Sequence, residues 1–436
     1  MSKNDPRVLS AWCFYDWANS VHSLVIVSGI FPVYFGATAL NESGGDVLNF
    51  LGFPVKNSVL FSYAISAAFL IIALTSPVCS AIADYSGRRK RFLQFFCYLG
   101  AINCALLYFF TRETTTSAVF FFLFSLVGWA GSIVFYNSFL PEIATADRFD
   151  ALSARGFSMG YVGSVLLMVF NLTMLLKPEW YGNVSSGMAS RISFLTVGVW
   201  WAGFAQFAFF RLPPDRATYE KRPGWLLNGF RELGQVFRQL GDLPTLKGFL
   251  LAYFFYSMGV QTVMYVAAIF ADKELHLPAQ SLIITVLLIQ LVAIAGAMLF
   301  ARLSKRLGNV RALMIAVVIW MGICTAAYFV ATQNDIFILA GVIGLVMGGI
   351  QALSRSTYAK LMPANTENTA SFFSFYDVTE KISIVLGTLM YGLVDQLTGS
   401  MRNSMLVLLV LFLIGFGLLW RLSVQKIRVP VLAERR

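Results

Sequence analysis

Apolar runs long enough to cross a membrane alternate with short polar segments along the whole chain. A helix of about 20 apolar residues spans the hydrocarbon layer of a bilayer. The pattern therefore predicts an all-α integral membrane protein with twelve membrane-spanning helices, numbered here as spans one to twelve. The predicted spans are 10–37, 59–83, 92–111, 117–140, 152–176, 191–211, 248–271, 281–303, 310–332, 335–360, 369–395 and 403–424.

The longest polar connection divides the twelve spans into two sets of six. It covers residues 212–247, between an N-terminal six-helix bundle at 1–211 and a C-terminal six-helix bundle at 248–424, which is followed by a basic tail at 425–436. Apolar residues recur in this connection at helical spacing and predict an amphipathic helix. They are Leu226, Phe230, Leu233, Phe237 and Leu240. Such a helix either lies on the membrane surface or packs on the protein as a solvated linker.

Composition excludes a soluble protein. The chain is 58% hydrophobic and 13% charged, whereas a soluble domain is about 25% charged. The net charge of +11 does not indicate a nucleic-acid partner, because the basic residues occupy short loops between apolar runs. An even number of spans puts both termini on one side, where Lys and Arg are concentrated. The positive-inside rule then predicts cytoplasmic termini, and we expect the inner membrane of a bacterium.

The connection between spans two and three carries the sharpest motif, SAIADYSGRRKR. At the end of a helix, Asp84 can accept hydrogen bonds from the N-terminus of a neighbouring helix, and Gly87 permits a tight turn. We expect the basic residues, Arg88 and Arg91 among them, to pair with acids and hold an inner gate in one state. Simple anchoring by positive charge would explain the basic residues but not Asp84 and Gly87. A weaker copy follows span eight, where SKRLGNVR keeps Gly308 but lacks the acid.

This motif resembles the loop signature of the major facilitator superfamily, with serine in place of the first glycine. Further segments, in the right order, resemble the bacterial members of the autophagy-related vacuole effluxer-like branch of that superfamily. They are 15–35, 140–144, 152–164, 250–270 and 348–363. The resemblance implies the major facilitator fold, with twelve helices in two pseudo-symmetric six-helix bundles, and solute transport. Eukaryotic relatives are associated with the release of amino acids from the vacuole.

Polar residues inside the spans are the candidate transport site, because each is costly in a membrane. On span one, Asp16 and Asn19 share a face, and His22 lies on its flank. Asp16 and His22 can each bind and release a proton, and a structural cluster that joins span one to its neighbours is the alternative. Aligning VHSLVIVSGIF with VQTVMYVAAIF places His22 over Gln261, a weak similarity between the halves.

Spans ten and eleven carry charges at similar depth. Asp377 and Lys381 are spaced as an i, i+4 ion pair, which leaves Arg355 as the partner of Glu380. Arg355 would also suit a substrate carboxylate, and static stabilising pairs are the alternative. The proton-coupling candidates are therefore Asp16, His22, Asp377 and Glu380, and the cavity candidates are Asn19, Asn137, Gln261, Tyr265, Gln351, Arg355 and Lys381.

No enzyme motif, metal-ligand spacing or cofactor-binding loop occurs in the sequence, and the five cysteines lie in or beside apolar segments. We therefore expect a monomeric secondary active transporter, not an enzyme, that moves a small polar metabolite by alternating access. An amino acid is the first expected substrate and the proton gradient the expected driver. The alternatives are an uncoupled effluxer, an exporter of hydrophobic or drug-like compounds, and a non-transporting sensor or lipid scramblase of the same fold.

Overall fold

A computed structural model describes residues 3–41, 43–215, 225–275, 279–363 and 366–424, and these residues are almost entirely helical. Twelve long helices correspond to the twelve predicted spans, which confirms the predicted fold class. In the first half, span one comprises Pro6–Val21, a π-helical segment His22–Val27 and Ile30–Thr38, and spans two to six are Asn57–Ser86, Arg89–Leu106, Thr115–Ser138, Phe149–Leu176 and Ser186–Arg211. In the second half, spans seven to twelve are Pro244–Leu275, Ala279–Leu307, Asn309–Phe329, Gln333–Leu361, Thr369–Thr398 and Met401–Val424.

Shorter elements join the spans. A helical turn at Leu140–Ile143 and 3-10 turns at Leu107–Phe109, Arg112–Thr114, Ala146–Arg148 and Pro178–Tyr181 complete the first half. Two strands that the sequence analysis did not predict, Val47–Phe50 and Phe53–Lys56, pair as an antiparallel hairpin between spans one and two. Leu51 and Gly52 form its turn with φ of 54° and 91°, and glycine adopts that conformation without steric cost.

Charge distinguishes span eleven from the other spans. In the described part of the chain, eleven helices are both long and apolar enough to cross a membrane, and span eleven is not among them. It is 30 residues long, but its first half contains Asp377, Glu380 and Lys381. Those side chains are stable at this depth only because the protein surrounds them.

Close helix packing depends on small residues, as is usual between membrane helices. At the crossing of spans three and four, a Cβ atom on Gly128 would lie 2.2 Å from the backbone nitrogen of Gly100. Neither glycine therefore tolerates a side chain without moving a helix. This contact packs spans three and four of the first half closely together.

The linker helix occupies Trp225–Gly241, within the connection where an amphipathic helix was predicted. It packs against span two and also contacts spans seven and eleven. Phe237 is 65% exposed and lies 6.1 Å from the ring of Phe375. Its contact with a membrane stays a prediction. The side chains of Leu226, Phe230 and Leu233 and the predicted tail at 425–436 lie outside the described residues.

The two ends of the bundle can be named from the chain path. We call the end that carries the start of span one, the linker helix and the end of span twelve the terminal end, and the end that carries the hairpin the far end. The described hydrogen bonds between the halves lie at the terminal end and at mid-depth, for example from Lys360 to Asp150 and from Tyr161 to Gln351. The halves are therefore closed against each other at the terminal end.

Candidate transport site

A cavity of about 170 Å³ lies between the two halves. Nine of the eleven predicted coupling and cavity residues line it, contributed by spans one, four, seven, ten and eleven. They are Asp16, Asn19, Asn137, Gln261, Tyr265, Gln351, Arg355, Glu380 and Lys381. Aromatic rings form much of the remaining wall, notably Trp129, Tyr136 and Phe157. The cavity therefore combines charged groups, amides and aromatic surfaces, which is typical of small-molecule sites.

Arg355 of span ten pairs with Asp16 of span one, and the predicted pair of Arg355 with Glu380 is wrong. Both terminal nitrogens of the guanidinium lie 3.3 Å from Oδ2 of Asp16, and the hydroxyl of Tyr136 donates to the same oxygen at 2.7 Å. Helical spacing identified partners on one span, but it does not show which spans face each other. The pair joins the two halves at the wall of the cavity.

The remaining donors of Arg355 are also engaged. The guanidinium donates to Oγ and the carbonyl oxygen of Ser153 at 2.8 and 3.0 Å and to Oδ1 of Asn137 at 3.3 Å. The rings of Trp12 and Phe157 lie 4.7 and 4.2 Å from its central carbon. A guanidinium has five N–H donors, and five hydrogen bonds use them here. The expected clamp on a substrate carboxylate is therefore not available in this state.

Gly156 of span five makes the Asp16–Arg355 pair possible, and the sequence analysis did not single it out. A Cβ atom at this position would lie 2.3 Å from Oδ2 of Asp16 and 3.1 Å from a guanidinium nitrogen of Arg355. Only a residue without a side chain lets span five approach the pair so closely. Its signal in the sequence is the glycine within LSARGFSMG, but glycine alone does not reveal what it contacts.

Lys381 of span eleven forms the second charged group. Its ammonium lies 3.2 Å from Oδ1 of Asp377 and 2.9 Å from Oε2 of Glu380, so the predicted i, i+4 pair is present and Glu380 joins it. Gln261 of span seven donates to Oε1 of Glu380 at 2.8 Å. Asp377 is 2% exposed and lies behind Lys381, outside the cavity lining.

His22 does not line the cavity, contrary to its selection as a coupling candidate. It is fully buried within the first half, where Nε2 lies 3.1 Å from Oγ of Ser125. The rings of Trp129 and Trp201 lie 5.8 and 5.7 Å away. His22 follows the regular helix Pro6–Val21, so its direction is the one a helical wheel gives, on the flank of the polar face. Its observed contacts are those of a packing residue.

Three buried polar atoms of cavity-lining residues have no hydrogen-bond partner among the described residues. Two are donors, the amide nitrogen Nδ2 of Asn19 and the indole nitrogen Nε1 of Trp129, and one is an acceptor, the amide oxygen Oε1 of Gln290. Buried polar groups are normally satisfied, because an unpaired one costs about 1–3 kcal/mol. These atoms lie just beneath the cavity surface, and a solute with both an acceptor and a donor would satisfy them once small side-chain rotations exposed them.

Asp84 makes the contact expected of it at the terminal end. Its carboxylate accepts hydrogen bonds from the backbone nitrogens of Ser371 at 2.7 Å and Ala370 at 3.3 Å and from the Ser371 hydroxyl at 2.8 Å. These residues begin span eleven, so the acid of one half caps a helix of the other. Gly87 ends span two in the left-handed conformation, with φ of 66°. The contacts place the motif at the closed end, while its gating role stays a prediction.

The arginine beside Asp84 is Arg89, which was not among the predicted gate residues. It lies 3.6 Å from Oδ1 of Asp84 and 3.3 Å from Oε2 of Glu142, and it donates to the Thr369 hydroxyl. Neither predicted gate arginine makes a described contact with Asp84. Arg88 is exposed, and its described hydrogen bonds are those of its backbone, with Ala83 and Phe92.

Arg91 pairs instead with Asp215 after span six. Its Nε lies 3.4 Å from Oδ2 of Asp215, and its side chain is 69% exposed. Partial burial raises the pKa of the Asp215 carboxyl above its ordinary value. An exposed pair of this kind contributes little to stability, so Arg89 and Arg91 of the motif differ in their roles.

Asp150 supplies the acid that the second copy of the motif lacks. It begins span five and accepts from Ser304 at 2.9 Å, from Asn309 at 2.8 Å and from Lys360 at 2.6 Å. Ser304 and Asn309 lie on either side of Gly308. In the second copy, therefore, the motif donates the hydrogen bonds and the other half supplies the acid. In the first copy the acid ends span two, and in the second it begins span five. The sequence analysis missed Asp150 because it sought the acid within the motif.

Known structures define the class of protein. FucP, a major facilitator superfamily transporter in the outward conformation, has a TM-score of 0.69 to this chain at 14% identity, covering 96% of this chain and 99% of its own. At that identity the likeness shows the fold alone. The chain is an integral membrane protein with the major facilitator fold.

Sequence relatives identify the branch. Residues 4–150 and 145–430 match the family described as "Vacuole effluxer Atg22 like". The MFS-type transporter YxiO of Bacillus subtilis is 33% identical over 96% of this chain and 95% of its own length. Autophagy-related protein 22-1 of Phaeosphaeria nodorum is 25% identical over 96% of this chain and 90% of its own. The chain belongs to the Atg22-like vacuole effluxer family, which makes it a transporter of the major facilitator superfamily rather than an enzyme.

Proposed function

We propose that this transporter moves a small polar metabolite, an amino acid first, by alternating access coupled to protons, and that it acts as a monomer. The observation that carries the proposal is the composition of the cavity wall. Asn19 offers an unpaired donor and Gln290 an unpaired acceptor, and Glu380 lines the same space. An amino acid has the matching groups, because its carboxylate accepts hydrogen bonds and its ammonium donates them.

Alternating access is supported by the position of the contacts between the halves. The clusters around Asp84 and Asp150 and the Asp16–Arg355 pair close the terminal end. Opening that end requires all of them to break. From the concentration of basic residues we propose that the terminal end faces the cytoplasm of a bacterial cell. The described state would then be closed to the cytoplasm.

Proton coupling is supported by the charges in and beside the cavity. Three acids, Asp16, Asp377 and Glu380, face two cations, Arg355 and Lys381. If all five were ionised, one negative charge would remain uncompensated in a buried site, which is costly. Binding of one proton, or of one cationic group of a substrate, removes that charge. A transporter that exchanges one for the other is coupled to the proton gradient.

Transport by the purified protein in liposomes tests this function. Uptake of labelled amino acids is measured with an imposed pH gradient and again after a protonophore has abolished it. We expect at least one amino acid to accumulate only with the gradient. If no amino acid accumulates, the result contradicts amino-acid transport. If an amino acid accumulates equally with and without the protonophore, the result contradicts proton coupling.

A matched pair of variants ties the result to the cavity. Asn19→Ala removes the unpaired donor, and we expect KM for the amino acid to rise about 10-fold, as for one hydrogen bond to a charged group. Asn103→Ala is the control, because Asn103 donates to Leu99 on its own span and does not line the cavity. An equal KM for Asn19→Ala and the control would place the substrate elsewhere.

Export of an aromatic or hydrophobic cation is the second candidate. The aromatic wall favours it, since cations bind over aromatic faces, and the charged groups in and beside the cavity, with Asp377 included, carry one more negative than positive charge. Trp129 and Tyr136 are the rings beside the two ion pairs. The same liposomes distinguish the two candidates, because a hydrophobic cation would then be transported while amino acids are not.

A further inference from the structure

A second groove lies on the outer surface of the bundle, apart from the transport cavity. It has a volume of about 530 Å³ and is formed where span five of the first half crosses span eight of the second, with Trp17 of span one beside them. Met159 and Met298 contribute to its apolar wall, and Arg155, Arg302 and Lys305 are its three cations. An apolar groove that also presents three positive charges fits an amphiphile with an anionic head.

The charged and apolar residues are separated by depth. At about 1.5 Å per residue, Lys305 lies about 3 Å, Arg302 about 8 Å and Arg155 about 9 Å from the terminal ends of their spans. Met159 and Met298 lie deeper, about 14–15 Å from the same ends. The order of charge and apolar surface is that of a phospholipid in the adjacent leaflet, with its phosphate at the mouth and an acyl chain beyond it.

The three cations have no acidic partner among the described residues. Arg155 makes one described side-chain hydrogen bond, to the hydroxyl of Ser10 at 3.3 Å, and Arg302 and Lys305 are exposed. The positive-inside rule explains why basic residues occur at this end. It does not explain why three of them, from two different halves, converge on one apolar groove.

We propose that this groove binds one anionic phospholipid, whose phosphate contacts Arg155 from the first half and Arg302 and Lys305 from the second. Basic pockets between membrane helices bind such headgroups, and each nearby Lys or Arg contributes to the attraction. An uncharged or zwitterionic lipid would fill the apolar part but leave the cations without a counterion.

The position of the groove gives the lipid a conformational effect. Spans five and eight touch through Ala154 and Ala301, and Ser158 donates to the carbonyl of Ile294 at 3.3 Å. These contacts belong to the closed terminal end. Separation of the spans would pull Arg155 away from Arg302 and Lys305, so the complete lipid site exists only in the closed state. The bound lipid therefore stabilises that state.

Lipid retention measured by native mass spectrometry tests the binding. The purified protein is mixed with phosphatidylglycerol or phosphatidylcholine, and the variants are Arg302→Gln with Lys305→Gln and, as a control, Arg306→Gln with Arg311→Gln. The control removes the same charge from neighbouring positions that do not line the groove. We expect the wild type and the control to prefer phosphatidylglycerol and the groove variant to lose about 10-fold or more in affinity for it.

Several outcomes would overturn the proposal. One is an equal loss in both double variants, which would show attraction by overall charge alone. Another is the absence of a preference for phosphatidylglycerol in the wild type. A third is displacement of the lipid by inorganic phosphate at about 10 mM. That result would show that the groove is a site for a free anion.

Distance measurements test the conformational effect without any knowledge of the substrate. Spin labels at Asp147→Cys and Leu307→Cys report the separation of the halves, because these exposed residues lie at the terminal ends of spans five and eight. Phosphatidylglycerol in the bilayer should increase the ratio of closed to open molecules about 10-fold in the wild type and the control. The same increase in the groove variant would contradict a role for Arg302 and Lys305.

Discussion

Asp16 of span one and Arg355 of span ten form an ion pair of 3.3 Å that joins the two halves at the wall of the transport cavity. Both side chains are almost completely buried, at 8% and 4% exposure. Removal of one partner leaves the other as a buried, uncompensated charge, whereas removal of both leaves none. The stabilities of the two single variants and of the double variant therefore report the interaction.

We expect Asp16→Asn to destabilise the protein by about 3 kcal/mol, because Arg355 would keep a buried charge without its counterion. The double variant Asp16→Asn with Arg355→Gln should be more stable than Asp16→Asn alone, since the charge is removed as well. Unfolding of the purified protein in detergent measures both. Additive effects of the two substitutions would show that the pair is not coupled in the folded protein.

Gly156→Ala tests the close approach of span five to this pair. The added methyl would lie 2.3 Å from Oδ2 of Asp16, so the pair or the helix must move. We expect a loss of about 1–3 kcal/mol in the free energy of unfolding, the usual cost of overpacking. Gly203→Ala is the matched control, because its Cβ would meet no atom within 4 Å. The control should be neutral or stabilising, since alanine favours a helix over glycine, and an equal loss in both would refute the contact.

Contacts within one helix were predictable from the sequence, and contacts between halves were not. The i, i+4 spacing of Asp377 and Lys381 identified their pair, and the position of Asp84 at a helix end indicated its cap. The partner of Arg355 depends on which helix faces span ten, and no spacing in the sequence records that. Asp150 escaped notice for the same reason, because its partners lie on spans eight to ten of the other half.

His22 shows a different limit. Its place on span one was extrapolated from a regular helix, and a π-helical segment begins only at this residue. The helix before it, Pro6–Val21, is regular, so His22 lies about 120° around the helix from Asp16, on the flank that the sequence indicated. That flank packs inside the first half, between Trp129 and Trp201. Helical spacing gives the direction of a side chain but not whether a cavity or another helix faces it.

Asp84→Asn should shift the protein away from the terminal-closed state without abolishing substrate binding. The charge caps the N-terminus of span eleven, an interaction of about 1–2 kcal/mol in a partly buried site, which corresponds to about a 10-fold change in the closed population. Spin-label distances across the terminal end measure the population, and equilibrium binding measures the substrate. Loss of binding with an unchanged distribution of distances would contradict the gating role.

Asp150→Asn should have the same effect, because Asp150 accepts the hydrogen bonds that join the halves at the second copy of the motif, from the side chains of Ser304, Asn309 and Lys360. Its charge also pairs with Lys360 at 2.6 Å. Asp147→Asn is the control, since Asp147 lies three residues earlier in the chain and is exposed. A shift of the control as large as that of Asp150→Asn would attribute the effect to the overall charge of this surface.

Topology can be tested with residues from the two ends of the bundle. The basic residues predict that the terminal end is cytoplasmic, so Gln239→Cys in the linker helix should react only with reagents on the inside of intact cells. Leu51 in the hairpin is 65% exposed, so Leu51→Cys should react only with reagents outside the cells. The measurement uses a background in which the five native cysteines are replaced. The reverse pattern would invert the proposed orientation.

The last prediction concerns coupling. Asp16 lines the cavity and pairs across the halves in the described closed state, so we expect that opening the terminal end breaks the pair and frees its carboxylate for a proton. Asp16→Asn stays neutral throughout the cycle. It should therefore retain substrate exchange, which needs no net proton movement, and lose accumulation driven by a pH gradient. Uptake and counterflow assays in the same liposomes measure the two activities.

Glu380→Gln and His22→Gln complete the coupling test. Glu380 carries part of the excess negative charge and lines the cavity, whereas His22 is buried in packing. We expect His22→Gln to keep pH-driven accumulation, because His22 does not line the cavity and reaches it only through the Trp129 ring against which it packs. If Asp16→Asn still accumulates substrate with the gradient and Glu380→Gln does not, the coupling group lies on span eleven, at Glu380 or at Asp377 behind Lys381. If both variants accumulate substrate regardless of the gradient, transport is uncoupled, and the excess charge serves to bind a cationic substrate.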